Sequence, residues 1–310
     1  MSTSSSTSAT ASRAPRGVAI FGHKHSASTA SCAVRLIRTL LESGLQVEIE
    51  EDFHRYLAPF ATSPDAALLP SVAVFSHSPH TATMAISLGG DGTFLRTAEK
   101  LVGRPTPILG INTGRLGFLA DVAADGIEQA VRQLAAGEFL VAERSMIAFD
   151  SNANTPNDFC PYALNEVAVL KHDNSSLIEV ETLVDGQLLT TYVADGLVVS
   201  TPTGSTGYAL SAGGPILSPD SSTFCLAPVA PHSLTMRPIV LSDEVELKLR
   251  VKSRTRHFLV ALDGRSRSME VGCEITLRKA DYSVKVVRMK GSDFFHTLRC
   301  KLMWGLDQRN

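Results

Sequence analysis

The stretch that decides the fold reads Ala82-Thr-Met-Ala-Ile-Ser-Leu88, Gly89-Gly-Asp-Gly-Thr93 and Phe94-Leu-Arg-Thr-Ala-Glu-Lys-Leu-Val102. The first part is an apolar run with the length of a buried strand. The last part places apolar side chains at i, i+1, i+4, i+7 and i+8, which is one face of an amphipathic helix. A glycine-rich turn therefore joins a strand to a helix, and that order is typical of a parallel sheet covered by helices.

The same alternation extends to both sides of this stretch. Upstream, the apolar segment Gly17–Gly22 precedes a helical pattern over 26–41. Downstream, residues 107–111 predict another strand, and apolar spacing over 127–136 predicts another helix. We therefore predict an α/β fold whose N-terminal domain, residues 17–144, contains a Rossmann-like parallel sheet.

The pattern changes after about residue 144. Between 145 and 280, short segments of alternating apolar and polar residues replace the helical spacing, and Asp185-Gly186 and Asp263-Gly264 are typical of tight hairpin turns. This predicts a C-terminal all-β, sandwich-like domain. Apolar residues at helical spacing near the end of the chain predict that the segment 281–310 packs back onto the first domain.

Residues 1–16 are rich in Ser, Thr and Ala and contain no acidic side chain, as in some targeting peptides. A core strand is predicted to begin at Gly17, which leaves a segment that is short for targeting. We therefore expect residues 1–16 to form a disordered tail rather than a cleaved signal.

The composition excludes several classes of partner. The 310 residues carry 29 basic and 31 acidic side chains and a net charge of −2. We expect neither nucleic acid nor an anionic membrane as a partner, because no strong field attracts polyanions. No apolar run approaches the ~20 residues of a membrane-spanning helix.

The five cysteines are far apart and form no C-x-x-C pair, which favours reduced thiols and a cytoplasmic location.

The glycine-rich turn has the properties of a phosphate loop formed by Gly89, Gly90, Gly92 and Thr93. Residues without Cβ allow close approach of a phosphate, and the following helix N-terminus presents N–H groups. A carboxylate here, Asp91, indicates phosphoryl transfer, because it can orient a hydroxyl or accept its proton. The alternative is a tight turn in which Asp91 merely caps the helix. The sequence contains no G-x-x-x-x-G-K-[ST] motif, and no G-x-G-x-x-G motif begins at Gly90.

A second constellation is the loop 195–215, Asp195-Gly-Leu-Val-Val-Ser-Thr-Pro-Thr-Gly-Ser-Thr-Gly-Tyr-Ala-Leu-Ser-Ala-Gly-Gly-Pro215. Four hydroxyls between Thr201 and Thr206 can bond sugar hydroxyls, amides and phosphate oxygens. The alternative is an ordinary Ser/Gly-rich loop. A flexible linker would not carry Pro202, Tyr208 and Pro215 at its turns.

Taken together, several segments resemble the NAD kinase family in identity, order and approximate spacing. The likeness extends from about residue 17 to the C-terminus. The Gly-Gly-Asp-Gly-Thr turn is shared with lipid kinases and phosphofructokinases, whereas the long hydroxyl loop combined with Asn165-Glu166 is highly specific. The segments are Gly89–Thr93, Asn112-Thr-Gly-Arg-Leu-Gly-Phe-Leu119, Leu164-Asn-Glu166, Asp195-Gly196, Thr201-Pro-Thr-Gly-Ser-Thr206, Ser211-Ala-Gly-Gly-Pro215, Pro231-His-Ser-Leu234 and Arg237-Pro-Ile-Val240.

The resemblance implies ATP-dependent phosphorylation of the 2′-hydroxyl on the adenosine ribose of NAD, which gives NADP. Asp91 would be the catalytic residue that orients the hydroxyl and accepts its proton. Mg²⁺ or another divalent cation is expected with ATP, without a metal site of the protein's own. A homodimer or homotetramer is implied, in which a neighbour completes the NAD pocket. The positions that would contact NAD are Asp91, Gly92, Arg96, Asn165, Glu166, Ser176, Val193, Asp195, Thr206, Gly207, Tyr208, Ala209, Leu210, Ser211 and Arg265.

Three residues depart from the family pattern. Gly207 replaces a common Ala, which preserves a small side chain. Val193 occupies a position where many bacterial members carry Arg, and this leaves the choice between NAD and NADH open. Arg265 stands where Gln is frequent.

Two alternative functions remain open at this point. A diacylglycerol-type lipid kinase would share the Gly-Gly-Asp-Gly turn but would not need the long hydroxyl loop. A noncatalytic dinucleotide-binding sensor would keep the fold without turnover. His23-Lys-His25 and His77-Ser-Pro-His80 are interpreted as surface residues rather than metal ligands, and Asp185 and Asp263 as turn residues.

Overall fold

The computed structural model describes residues 10–11, 13–23, 27–60, 68–114, 117–120, 122–153, 159–173 and 176–305. The chain forms two compact units. The first comprises Met1–Glu143 and Val284–Asn310, and the second comprises Arg144–Ser283. Each unit has a hydrophobic core of its own.

The first unit is built from short strands and helices in alternation. In chain order these are β1 (Thr10–Ala11), β2 (Gly17–Gly22), α1 (Ala27–Glu42), β3 (Gln46–Glu50), α2 (Glu51–Leu57), β4 (Ala73–Phe75), β5 (Met84–Leu88), α3 (Asp91–Lys100), β6 (Ile108–Asn112), β7 (Val122–Ala123), α4 (Ile127–Ala136) and β8 (Phe139–Ser151), the last of which continues into the second unit. Single 3₁₀ turns lie at Ala58–Phe60, Leu69–Ser71 and Ala124–Gly126.

The strands of the first unit form a parallel sheet in the order β6-β5-β2-β3-β4. Strands β5 and β6 are buried along their whole length, and their sequences are apolar apart from Ser87 and Asn112. The N-terminal parallel-sheet domain expected from the sequence is therefore confirmed. Helix α2 and strand β4 lie between β3 and β5, where the sequence predicted no element.

The second unit contains two antiparallel sheets. Its further elements are β9 (Tyr162–Ala163), β10 (Glu166–Lys171), β11 (Ile178–Val184), β12 (Gln187–Ala194), β13 (Gly196–Ser200), a 3₁₀ turn (Thr203–Thr206), α5 (Tyr208–Ser211), β14 (Thr223–Val229), β15 (Ile239–Ser242), β16 (Leu247–Lys252), β17 (His257–Leu262), β18 (Arg265–Glu270) and β19 (Glu274–Met289). One sheet has the order β15-β14-β13-β10-β17-β18, and the other pairs β12, β11, β16 and the first part of β19.

Side chains of both sheets of this unit share one core, which confirms the antiparallel C-terminal domain. The two Asp-Gly pairs form the hairpins predicted for them. Asp185 and Asp263 have φ angles of +49° and +48°, and the glycine after each has a φ angle of +80°. These left-handed conformations suit tight hairpin turns.

The chain ends contribute to the first unit. Residues 10 and 11 of the predicted tail pair antiparallel with Leu140 and Val141, whereas residues 1–9 and 12 lie outside the described residues. At the other end, Val286 of β19 pairs parallel with Ile108, and α6 (Phe294–Leu302) buries Thr297 and Leu298. No helix among the described residues has both the length and the apolar character needed to cross a membrane.

Candidate active site

The Asp91 carboxylate is held by three consecutive backbone N–H groups. Asp91 is the first residue of α3, directly after the glycine turn. Its Oδ2 accepts a hydrogen bond from the N–H of Phe118 at 2.7 Å, and its Oδ1 accepts from Leu119 at 3.0 Å and Ala120 at 3.3 Å. A carboxylate has about four acceptor positions. Three are therefore used by described residues, and no described residue donates to the fourth, which lies on Oδ2.

Gly117 makes this arrangement possible. A Cβ atom at position 117 would lie 1.8 Å from Asp91 Oδ1, so only glycine fits against the carboxylate. The turn before it is fixed by Asn112, whose Oδ1 accepts a hydrogen bond from the N–H of Gly114 at 2.8 Å. Arg115 and Leu116 of the same motif lie outside the described residues.

The glycines of the phosphate loop differ in what requires them. Gly89 has a φ angle of +154°, and a Cβ there would lie 2.3 Å from Thr93 Oγ1, so the fold itself requires this glycine. A Cβ at Gly90 or Gly92 would meet nothing within 4 Å. Packing within the protein does not explain glycine at these two positions, and the absence of a Cβ there leaves room for a phosphate to approach the backbone.

A cleft of about 310 Å³ lies beside this loop in the first unit. It opens at the carboxyl ends of β2 and β3, where ligands bind in many open α/β sheets. Arg96 donates to Thr93 Oγ1 at 3.3 Å, and Lys100 forms an ion pair with Glu50. The residues that line the cleft are Phe21, Gly22, His23, Glu50, Asp52, Phe53, Thr93, Arg96, Thr97 and Lys100.

In the second unit, the segment Leu164–Asn165–Glu166 is fixed from two directions. The carboxylate of Asp263 accepts from the N–H of Leu164 at 2.7 Å, of Asn165 at 2.8 Å and of Glu166 at 3.1 Å. On the other side, Thr201 Oγ1 donates to the carbonyl of Leu164 at 2.6 Å, and the N–H of Thr201 donates to the carbonyl of Asn165 at 2.9 Å.

Two atoms of this segment are buried without a hydrogen-bond partner among the described residues. They are Asn165 Oδ1 and Glu166 Oε2. Burial and the negative charge of Asp263 raise the pKa of Glu166 to about 7, although the N–H of Tyr208 opposes this. Buried polar groups normally have partners, so this pair is suited to a polar ligand.

The predicted loop 206–211 lies against this pair. Gly207 is so close that a Cβ on it would be 3.2 Å from Glu166 Oε2. Thr206, Gly207, Tyr208 and Leu210 are half-buried, Ala209 is buried and Ser211 is exposed.

Two of the four hydroxyls between Thr201 and Thr206 form hydrogen bonds with backbone groups of the protein. Thr201 Oγ1 bonds to Leu164 as described above. Ser205 Oγ donates to the carbonyl of Pro202 at 2.7 Å and accepts from the N–H of Leu217 at 3.0 Å. Both residues are buried, and the contacts of these two hydroxyls stabilise the loop itself.

The remaining predicted positions have other surroundings. Asp195 is ion-paired with Lys171 at 2.6 Å. Val193 is exposed on β12, and Ser176 is half-buried just before β11. The Arg265 guanidinium donates to the backbone carbonyls of Leu262, Cys160 and Tyr162, at 3.1, 3.3 and 2.7 Å.

Sequence reasoning missed two residues of these sites. It quoted Gly117 only as part of a motif, and it interpreted Asp263 only as a turn residue. Asp263 does form the turn, but its carboxylate also organises Asn165 and Glu166. Neither role has a local sequence signal, because Gly117 meets Asp91 and Asp263 meets the Leu164–Glu166 segment only in the folded chain.

Comparison with known proteins covers both units. The ATP-NAD kinase N-terminal domain matches residues 18–139, and the ATP-NAD kinase C-terminal domain matches residues 164–289. The NAD kinase of Bacteroides fragilis is 46% identical over 293 residues, which are 94% of this chain and 99% of that protein. The NAD kinase of Porphyromonas gingivalis is 40% identical over 290 residues, 93% and 98% of the two chains.

Solved structures of similar fold include an NAD kinase from Archaeoglobus fulgidus in complex with ATP. It is 27% identical, with a TM-score of 0.70, and the match covers 92% of this chain and 98% of that one. Yeast NADH kinase complexed with NADH shares the fold at 23% identity, with a TM-score of 0.84 and coverage of 95% and 89%. The family domains and the near full-length relatives agree, and the chain belongs to the NAD kinase family.

Proposed function

We propose that this chain transfers the γ-phosphate of ATP to the 2′-hydroxyl of the adenosine ribose of NAD, giving NADP. Family membership over nearly the whole chain supports this activity. The observation that carries it is the Asp91 carboxylate, which three N–H groups hold within the phosphate loop while no described residue donates to the fourth acceptor position, on Oδ2. The lipid kinase and sensor alternatives have no support in the relatives, which are named NAD kinases.

Asp91 acts on the hydroxyl that is phosphorylated. The 2′-hydroxyl donates a hydrogen bond to the remaining acceptor position on Oδ2. This bond orients the hydroxyl oxygen towards the γ-phosphorus. As the new oxygen–phosphorus bond forms, the carboxylate takes the proton, and ADP leaves. Because the N–H donors prevent rotation of the carboxylate, the hydroxyl loses little further freedom in reaching the reactive geometry.

Asn165 and Glu166 bind the dinucleotide in this proposal. Their buried, unpartnered oxygens gain hydrogen-bond partners when ribose hydroxyls or base edges enter the site. The other contacts expected from the family resemblance remain part of the proposal: Ser176, Val193, Asp195, Thr206, Gly207, Tyr208, Ala209, Leu210, Ser211 and Arg265.

The phosphates of ATP bind at Gly89–Thr93, next to the cleft that contains Arg96 and Lys100. ATP enters as its complex with Mg²⁺ or another divalent cation, which neutralises charge on the triphosphate. Within the described ranges, no group of three His, Cys, Asp or Glu side chains is placed to hold a metal ion.

We also expect a homodimer or homotetramer in the cytoplasm. Leu188 and Leu234 of the second unit are 65% and 89% exposed, and contact between copies would bury such side chains. All five cysteines are free thiols, which suits a reducing compartment. Light scattering at assay concentration measures the assembly, and a fully active monomer would contradict it.

The activity is tested by incubating the purified chain with NAD, ATP and Mg²⁺ and measuring NADP with a dehydrogenase that accepts only NADP. Parallel incubations contain NADH or diacylglycerol in place of NAD. Formation of NADP is the expected result. Binding of NAD without formation of NADP would favour the sensor function, and phosphorylation of diacylglycerol alone would favour the lipid kinase.

A further inference from the structure

Asp263 is more than a hairpin residue. It occupies the first position of the β17–β18 turn, where an Asn would suit the left-handed backbone equally well. Its carboxylate bonds to three consecutive N–H groups on a segment 97 to 99 residues earlier in the chain. Its own N–H donates to the carbonyl of Glu166 at 3.1 Å. The turn therefore holds the Leu164–Glu166 segment through both side chain and backbone.

The other Asp-Gly hairpin shows that this arrangement is not a general property of such turns. Asp185 has the same backbone conformation, with a φ angle of +49°. Its carboxylate accepts one hydrogen bond, from the N–H of Glu246 at 2.9 Å, and Asp185 is exposed. Asp91 also accepts from three consecutive N–H groups, and Glu48 of β3 accepts from the N–H groups of His80 and Thr81 and from the Thr81 hydroxyl.

The contacts of Asp263 determine where two neighbouring side chains project. The direction of each N–H fixes the plane of its peptide group, and these planes set the backbone from which Asn165 and Glu166 extend. Without the carboxylate, three N–H groups would lose their acceptor, and the segment would relax to find others. The unpartnered oxygens of Asn165 and Glu166 would then leave their present positions.

Asp263 also acts on Glu166 through its charge. Burial raises the pKa of Asp263, and the three N–H donors and nearby Arg265 oppose this effect. The negative charge of Asp263 is, after burial, the second cause that raises the pKa of Glu166. The groups that act on Glu166 are thus Asp263 and the N–H of Tyr208, with Arg265 acting on Asp263.

We propose that Asp263 is a positioning residue for the NAD site, which holds Asn165 and Glu166 in the geometry that the dinucleotide requires. This inference rests on the proposed function. It assigns Asp263 no contact with either substrate, and its effect is specific to NAD because its contacts are confined to the NAD-binding segment.

The test is Asp263→Asn, with Asp185→Asn as the matched hairpin control. The amide keeps the turn preference, but its NH₂ group cannot accept from the N–H of Leu164. We expect the KM for NAD to rise at least about tenfold, with a smaller loss in kcat and a KM for ATP within about twofold of wild type. The midpoint of the pH dependence of kcat/KM for NAD, which we attribute to the ionisation of Glu166, is expected at lower pH in Asp263→Asn. The reason is that a negative charge that raises the pKa of Glu166 is gone. Asp185→Asn leaves all these values unchanged.

Asp263→Glu separates position from charge. It keeps the negative charge but displaces the carboxylate by one methylene, so we expect a raised KM for NAD with a pH midpoint closer to that of wild type. This variant also provides the test if Asp263→Asn does not fold. Recovery of the wild-type KM in Asp263→Glu would overturn the positioning role, because charge alone would then suffice.

Two further results would overturn the inference. One is an unchanged KM for NAD in Asp263→Asn. The other is an equal loss for NAD and ATP together with a lowered melting temperature, which would indicate a merely structural role. Failure of the wild-type chain to make NADP is a different outcome, because it removes the proposed function itself.

Discussion

Glu166 is expected to lower the stability of the fold at neutral and alkaline pH. Its pKa is raised from the ordinary value of 4.5 to about 7, so the folded chain holds a proton that the unfolded chain has lost between these pH values. Stability therefore falls as pH rises through this window. At 1.36 kcal/mol per pH unit, the full penalty is about 3 kcal/mol above pH 7, and it is absent well below pH 4.5.

The perturbation is Glu166→Gln, which cannot ionise. The glutamine oxygen can still accept the N–H of Tyr208, and any packing cost of the amide is the same at every pH. Relative to wild type, the variant should gain roughly 2 to 3 kcal/mol in the free energy of unfolding between pH 5 and pH 8. Urea unfolding followed by circular dichroism at both pH values measures this gain.

The control is Glu179→Gln, which removes an exposed carboxylate from β11 of the same unit. A stability difference between Glu166→Gln and wild type that is equal at pH 5 and pH 8 would show that the pKa of Glu166 is not raised in the folded chain. The same variant should raise the KM for NAD at least about tenfold, because it replaces a carboxylate oxygen that we propose as a contact of the dinucleotide. Stability and function would thus change in opposite directions at one residue.

The other predictions concern glycines at which a Cβ would overlap a neighbouring group of a proposed site. Gly117→Ala should lower kcat at least about a hundredfold, because the new Cβ would lie 1.8 Å from Asp91 Oδ1. Gly114→Ala, whose Cβ would meet nothing closer than 3.9 Å, should keep near-normal turnover, and steady-state kinetics compares the two. Gly204→Ala should weaken NAD binding at least about tenfold, because its Cβ would lie 2.1 Å from the carbonyl oxygen of Asn165. Calorimetric titration with NAD measures this, and an unchanged affinity would contradict the described contact.

Much of the fold could be predicted because local patterns report it. Alternation of strand and helix around Gly89–Thr93 indicated the parallel sheet, and the Asp-Gly pairs indicated the hairpins of the second unit. Asp91 was identifiable because a carboxylate inside a phosphate loop needs a chemical reason. The residue pair Asn165-Glu166 was found only through family resemblance, because Asn and Glu next to a strand have no distinctive pattern of their own.

The supports of both sites could not be predicted for a physical reason. The groups that hold Asp91 are backbone N–H groups of Phe118 to Ala120, 27 to 29 residues further along the chain, and such groups are independent of side-chain identity. Asp263 reaches its partners only through the pairing of β10 with β17. The backbone contacts of the Thr201 and Ser205 hydroxyls could not be predicted either. A hydroxyl that bonds to the backbone and one that faces a ligand look alike in sequence.

The central claim is that Asp91 orients and deprotonates the hydroxyl that is phosphorylated. The most direct test compares wild type with Asp91→Asn in kcat with saturating NAD and MgATP, and in the dissociation constant for NAD, on samples with the same melting temperature. We predict that kcat falls at least about a hundredfold while the dissociation constant stays within about threefold of wild type. Turnover within a few-fold of wild type in Asp91→Asn would contradict the claim.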